Sequence, residues 1–182
     1  MHEVMSIENT IKNLKIWKDN ISIEKITGGI TNQNFLVHEG NKKFFVRIGN
    51  DIPEHLIFRQ NEISCSKAAS LADIAPKLIH SAEGIIVFEY IKSITYDSKL
   101  VIQNLDQIIE VIKNVHNKIP NFITGSPPLF WVFHVIKHYA SFLKDNDSSY
   151  TNLLDEFLSK SLKIDNAASP YNIVFCHNDF LP

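Results

Sequence analysis

The sequence predicts an α+β fold, with an antiparallel β-sheet and one helix first and a helical half second. Three observations carry this. Short β-rich runs crowd the chain before residue 91. Beyond residue 100, apolar side chains recur every three or four positions, the period of a helix with one buried face. Gly and Pro punctuate the boundaries between these runs. At 182 residues, 45% hydrophobic and 21% charged, the chain has a globular composition and enough length to bury a core.

Each element follows in order. Ile21, Ile23 and Ile26 are spaced for a strand that runs into a turn at Thr27-Gly28-Gly29. Phe35-Leu36-Val37 and Phe44 to Ile48 are two more β-rich runs, and His38 to Lys42 between them suits a hairpin loop. Residues 21–48 therefore read as three antiparallel strands. Pro53 opens a helix, because the first turn needs no N–H from it. Leu56, Gln60, Ile63, Lys67 and Leu71 extend that helix over roughly 54–72, and Pro76 marks its exit. Lys77 to Ser81 and Ile85 to Tyr90 are two short strands joined by Ala82-Glu83-Gly84. In the second half, Ile102, Leu105, Ile108, Ile109, Ile112 and Val115 predict one amphipathic helix. A loop from Pro120 to Pro128 follows, then an aromatic helix from Leu129 to Leu143 and a third helix through Leu153, Phe157 and Leu162. Tyr171 to Cys176 reads as a buried strand that ends in His177-Asn178-Asp179.

Charge and cysteine content narrow the function classes. Eighteen basic against twenty acidic residues leave a formal net charge of -2, with no basic surplus for nucleic acid or anionic lipid. Cys65 and Cys176 are far apart, which removes a disulfide framework and a cysteine-based zinc site. The N-terminal segment has lysines but no apolar run of signal-peptide type. The longest uncharged stretch, Ile119 to Ile136, is broken by Pro120, Gly125, Pro127 and Pro128, which argues against a membrane span. The expectation is a cytoplasmic protein with free thiols. Arg occurs only at 47 and 59, which raises the question at each of why Lys would not do.

Four segments carry possible chemistry. His177-Asn178-Asp179 ends an apolar run, where an Asp facing a cleft can take a proton from a substrate hydroxyl. The same tripeptide also suits an ordinary turn. Thr27 to Asn34 holds a Gly-Gly pair that lets backbone N–H groups approach a phosphate, or simply turns a hairpin. Arg47, amid Phe45, Val46 and Ile48, needs an anionic partner, and Glu62 on the next helix can supply it. That pair can be a structural salt bridge or a phosphate clamp. Ile85 to Ile91 is either an ordinary buried strand or a connection out of the sheet, which exposes backbone groups able to read an adenine edge. His134 and His138 are four apart but lack an intervening Glu, so no metal site is assigned there. Trp131, Phe133, Tyr139 and Phe142 read as packing residues.

Taken together, the order of these segments is the kinase-like template for phosphoryl transfer. The chain resembles the choline/ethanolamine kinase family, within the aminoglycoside-phosphotransferase-like group, from about Ile21 to Pro182. Cys176 to Pro182 resembles the start of that family's HxDxxxxN motif, and Gly28 to Gln33 resembles its nucleotide loop. The resemblance implies a nucleotide-binding lobe over residues 1–91 and a partial helical lobe over 92–182. It implies ATP as phosphoryl donor and a small alcohol such as choline or ethanolamine as acceptor, with thiamine, aminoglycoside or sugar as alternatives. It makes Asp179 the catalytic base and His177 and Asn178 structural parts of its loop. It gives Gly28, Gly29, Thr31, Asn32 and Arg47 to the phosphates, with Glu62 as the partner of Arg47, and the backbone of Glu89 and Ile91 to adenine.

The pattern also departs from the family. Counted from His177, the motif's metal-binding Asn falls at position 184, past Pro182, and the later metal-ligand Asp is absent as well. Mg²⁺ ligands are therefore expected beyond Pro182. The sequence reads as cut within the catalytic loop, so this chain alone is expected to be inactive. The alternative is an inactive kinase-like remnant or a nucleotide-binding module. An exposed apolar helical face is expected in either case.

Overall fold

The computed structural model describes residues 7–27, 30–127 and 129–178. Gly28, Gly29 and Asp179 lie outside the described residues. Five strands form one antiparallel sheet: β1 (Ile21–Ile26), β2 (Gln33–Glu39), β3 (Lys42–Ile48), β4 (Leu78–Ala82) and β5 (Ile85–Glu89). Their spatial order is β1-β2-β3-β5-β4. All five strands fall where the β-rich runs predict them. The second hairpin is tighter than expected, because Glu39 pairs directly with Lys42 and leaves only Gly40 and Asn41 as its loop. Gly40 has φ 56, the sign that a type II′ turn requires at its first central residue. Pairing His38 with Lys43 satisfies backbone groups that a longer loop would leave to water.

The pleat sorts the sheet's side chains onto two faces. Phe35 lies opposite Val46, and Val46 opposite Val87, so these three share one face with Val37 and Phe44. A short helix, α1 (Ile7–Lys12), and the residues after it cover that face. Ile11 is fully buried there, with Ile7, Leu14, Ile16 and Trp17 packed around it. The indole N–H of Trp17 donates to the Ile11 carbonyl at 2.7 Å, and its ring meets Phe44 edge-on at 5.3 Å. The Glu39 carboxylate accepts the backbone N–H of Lys18 and, at 3.1 Å, that of Asp19. Nothing in the sequence announces this cover, since six residues of helix are too few to show a period.

Asn34, Arg47 and Ile86 lie side by side on the opposite face. That face meets α2 (Arg59–Leu71), which is shorter than the helix expected over 54–72. Pro53–His55 makes a single 3-10 turn, and Leu56 then takes φ 57. Ile52 and Ile57 exchange backbone hydrogen bonds of 2.9 and 3.1 Å across the break. The helix restarts where the Arg59 N–H donates to Asp51 Oδ1 at 2.7 Å. A carboxylate from eight residues upstream thus caps a start that the apolar period did not mark.

The second half contains α3 (Ser98–Gln103), α4 (Leu105–Lys118), α5 (Val132–Asp145) and α6 (Leu154–Ala168). The single helix expected through Ile102 and Val115 is divided at Asn104, whose φ of -116° leaves the helical region. Its side-chain amide donates back to the Leu100 carbonyl at 2.8 Å. The aromatic helix begins at Val132 rather than Leu129, because Trp131 is extended. Among the described residues the expected strand from Tyr171 to Cys176 joins no ladder, and Ile173 is 73% exposed. Its composition suits a strand, but a strand needs a neighbouring backbone about 4.8 Å away. The expected apolar helical surface is present, with Ile102, Leu105, Phe157, Leu162 and Ile164 all exposed. No described helix is long and apolar enough to cross a membrane.

Candidate functional site

Arg47 reaches from β3 toward α2, and its Nη1 donates to Glu62 Oε1 at 2.9 Å. The pair expected from the sequence is therefore formed. The guanidinium also stands over the Phe45 ring, 5.6 Å from its centre. Arg47 Nε is buried and has no hydrogen-bond partner among the described residues. The Arg47 side chain as a whole is 36% exposed, so its guanidinium keeps an open side that suits an incoming anion.

Glu62 has a second cationic partner. Its Oε2 accepts from Arg59 Nη1 at 2.7 Å, one turn back on the same helix. Arg59 is only 7% exposed. Its Nε donates to the Asn50 carbonyl and its Nη2 to the Thr31 carbonyl, both at 2.8 Å. The two arginines of the chain thus share one carboxylate, and one of them also grips the loop between β1 and β2. Asn32 follows on that loop, with a buried Oδ1 that has no partner among the described residues. Gly49 explains how these groups fit. A Cβ on it would stand 2.6 Å from both Arg59 Nη2 and Asn32 Oδ1.

Glu89 and Ile91 end the sheet side of the site. The Glu89 N–H is already given to the Lys77 carbonyl at 2.9 Å, so it is not free to donate to a ligand. Ile91 is exposed. His177 and Asn178 close the extended segment at the far end, and both are exposed. Asn178 has φ 64, a left-handed conformation that Asn tolerates better than most residues. Phe175 anchors this segment by packing on Ala68, Ala72 and Ile119. Cys176 Sγ lies 4.0 Å from His116 Nε2 on α4. The α2 helix is thus common to both parts, carrying Glu62 in its first turn and the Phe175 contact at its end.

Tyr171 holds the start of the segment. Its ring stands edge-on to Trp131 at 4.6 Å, and its hydroxyl donates toward the Asp165 carbonyl and Oδ1 at 2.7 and 2.8 Å. Burial, followed by the hydrogen bond and charge of Asp165, pushes its phenol up to about 12. Trp131, Phe133 and Tyr171 therefore pack together. His134 touches the Trp131 ring and His138 the Tyr139 ring. Among the described residues no three His, Cys, Asp or Glu side chains cluster to hold a metal ion.

Residues 23–182 match the family described as choline/ethanolamine kinase. The chain belongs to that family. It is 24% identical over 162 residues to Protein LicA of Haemophilus influenzae, covering 85% of this chain and 47% of that protein. Its fold is similar to the crystal structure of choline kinase LicA from Streptococcus pneumoniae. The TM-score is 0.68 at 27% identity, over 90% of this chain and 59% of that one. It is also similar in fold to a Plasmodium vivax ethanolamine kinase, with a TM-score of 0.70 at 18% identity, over 88% and 50% of the two chains. The chain thus spans about half the length of the relatives it matches. The fold is that of the kinase-like group, α+β with a five-stranded antiparallel sheet.

The sequence pointed to the Arg47–Glu62 pair, which forms, but not to the contacts of Arg59 and Gly49 beside it. A signal for Arg59 was present, since it is one of two arginines and stands three residues before Glu62. Gly49 carried none, because the close approach that needs it involves three separate segments.

Proposed function

We propose that this chain is the N-terminal portion of an ATP-dependent small-molecule kinase that phosphorylates the hydroxyl of choline or ethanolamine. The observation that carries it is the Arg47–Glu62–Arg59 cluster beside the Thr31–Asn32 loop, in a chain of this family. On this reading residues 1–91 bind nucleotide and residues 92–182 begin the helical lobe. Arg47, partly exposed and held by Glu62, grips phosphate oxygens, and Asn32 and the preceding glycines cover them. The backbone of the segment from Glu89 to Ile91 meets adenine, with the Glu89 carbonyl as acceptor. Asp179 orients the acceptor hydroxyl and takes its proton as the oxygen attacks the γ-phosphorus in line, while the bond from that phosphorus to the β,γ-bridging oxygen breaks and ADP leaves. Mg²⁺ would neutralise phosphate charge. Its ligands belong, on the family motif, beyond Pro182. A cytoplasmic setting fits the two free thiols.

Two measurements test this. Titration of the 182-residue chain with ATP should show saturable binding that weakens at least about tenfold in Arg47→Ala. Absence of ATP binding by the unaltered chain would overturn the reading. The same chain with ATP, Mg²⁺ and choline or ethanolamine should form little or no phosphorylated product. Turnover at ordinary kinase rates, lost on Asp179→Ala, would show instead that these residues suffice for catalysis.

A further inference from the structure

We propose that Arg59 is a positioning residue for nucleotide phosphates, setting both the Thr31–Asn32 loop and, through Glu62, the Arg47 guanidinium. This rests on the reading that the loop and Arg47 hold those phosphates. The three side-chain nitrogens of Arg59 go to three different acceptors: Asn50 O, Glu62 Oε2 and Thr31 O. Its backbone N–H goes to Asp51 Oδ1. One nearly buried fork therefore joins the start of α2, the end of β3 and the β1–β2 loop.

The geometry separates two roles that a simple ion pair would merge. A carboxylate facing Arg47 alone could rotate, and Arg47 would follow it. With Oε2 held by Arg59, Glu62 presents a fixed Oε1 to Arg47. The loop is fixed by the same cation, since Arg59 Nη2 pulls on the Thr31 carbonyl. In a trans peptide the Asn32 N–H points away from the Thr31 carbonyl, so holding that carbonyl also fixes the direction of this N–H. Lysine cannot replace this fork. Its one ammonium cannot reach three acceptors that lie around a planar guanidinium. The absence of a side chain at Gly49 is the matching requirement, because a Cβ there would strike Arg59 Nη2 and Asn32 Oδ1 together.

The test compares ATP with adenosine on the full 182-residue chain. In Arg59→Lys, ATP affinity should fall about tenfold while adenosine affinity stays within about twofold, because only phosphate positioning is lost. A variant that weakens both ligands equally, or neither, would overturn the proposal. In Arg47→Lys/Arg59→Lys the loss should be smaller than the product of the two single losses, since both act along one path. Multiplying losses would count against it. If Arg59→Lys fails to fold, Gly49→Ala displaces the same fork without removing it and should give the same loss for ATP alone. Amide resonances of Thr31 and Asn32 in the nucleotide-free protein give a separate readout. They should move in both variants, and unmoved resonances sink the positioning role even where ATP does not bind. Failure of the unaltered chain to bind ATP, with those resonances moving, would instead fault the nucleotide reading and leave the loop coupling standing.

Discussion

Glu62 holds Arg47 through one carboxylate oxygen at 2.9 Å, and its other oxygen is already committed to Arg59. Removing the carboxylate therefore strands two cations, one of them nearly buried. Glu62→Ala should destabilise the chain by about 3 kcal/mol, since an uncompensated buried charge costs more than the intact pair contributes. Urea unfolding checks this. A midpoint unchanged from that of the unaltered chain would mean that Arg59 finds water or another partner.

Glu39 gives a pH dependence of known sign. Backbone N–H bonds from Asp19 and Lys18 lower its carboxyl below the ordinary value. The folded state thus binds this proton more weakly than the unfolded chain does. The stabilisation is present above the unfolded carboxyl range, near pH 4.3, and is lost as pH falls through the lower folded value. Glu39→Gln should be less stable than the unaltered chain at pH 7, and the gap should close in acid. A gap that stays constant down to pH 2 would remove Glu39 from this role.

The two thiols should react at different rates. Cys176 is exposed, whereas Cys65 is half-buried and desolvation raises its thiol. A raised thiol has less thiolate, the reactive form. An aromatic disulfide reagent at pH 7.5 should label Cys176 first and Cys65 at least about tenfold more slowly. Mass analysis of the singly labelled protein identifies the site, and equal labelling of both would contradict the burial of Cys65.

Tyr171 should ionise later than a free phenol. Its phenol, pushed up to about 12, keeps its proton more firmly folded than unfolded. The associated stabilisation is complete below pH of about 10 and is lost as pH rises through about 12. Near-UV absorbance titration should show a late tyrosine step that is absent in Tyr171→Phe. That variant should also loosen the segment that leads to His177, seen as faster amide exchange at Phe175.

The sequence by itself determined the sheet and its partner for Arg47. Alternating apolar residues and a Gly-centred hairpin are local signals, and a cation among Phe45, Val46 and Ile48 requires an anion wherever the chain folds. The motif from Cys176 onward likewise pointed to the family before any fold was known. Tertiary structure alone decided the rest. The helix start at Arg59 depends on Asp51, the break at Asn104 on a side-chain bond to Leu100, and the cover over Val37 and Val46 on Ile11 and Trp17. Tyr171 to Cys176 has the composition of a strand, yet composition cannot supply a neighbouring backbone to pair with. Arg59 was visible as a rare residue, but its three acceptors come from distant positions. Local period and residue type are written into neighbouring residues. Hydrogen bonds between remote segments exist only once the chain has brought them together.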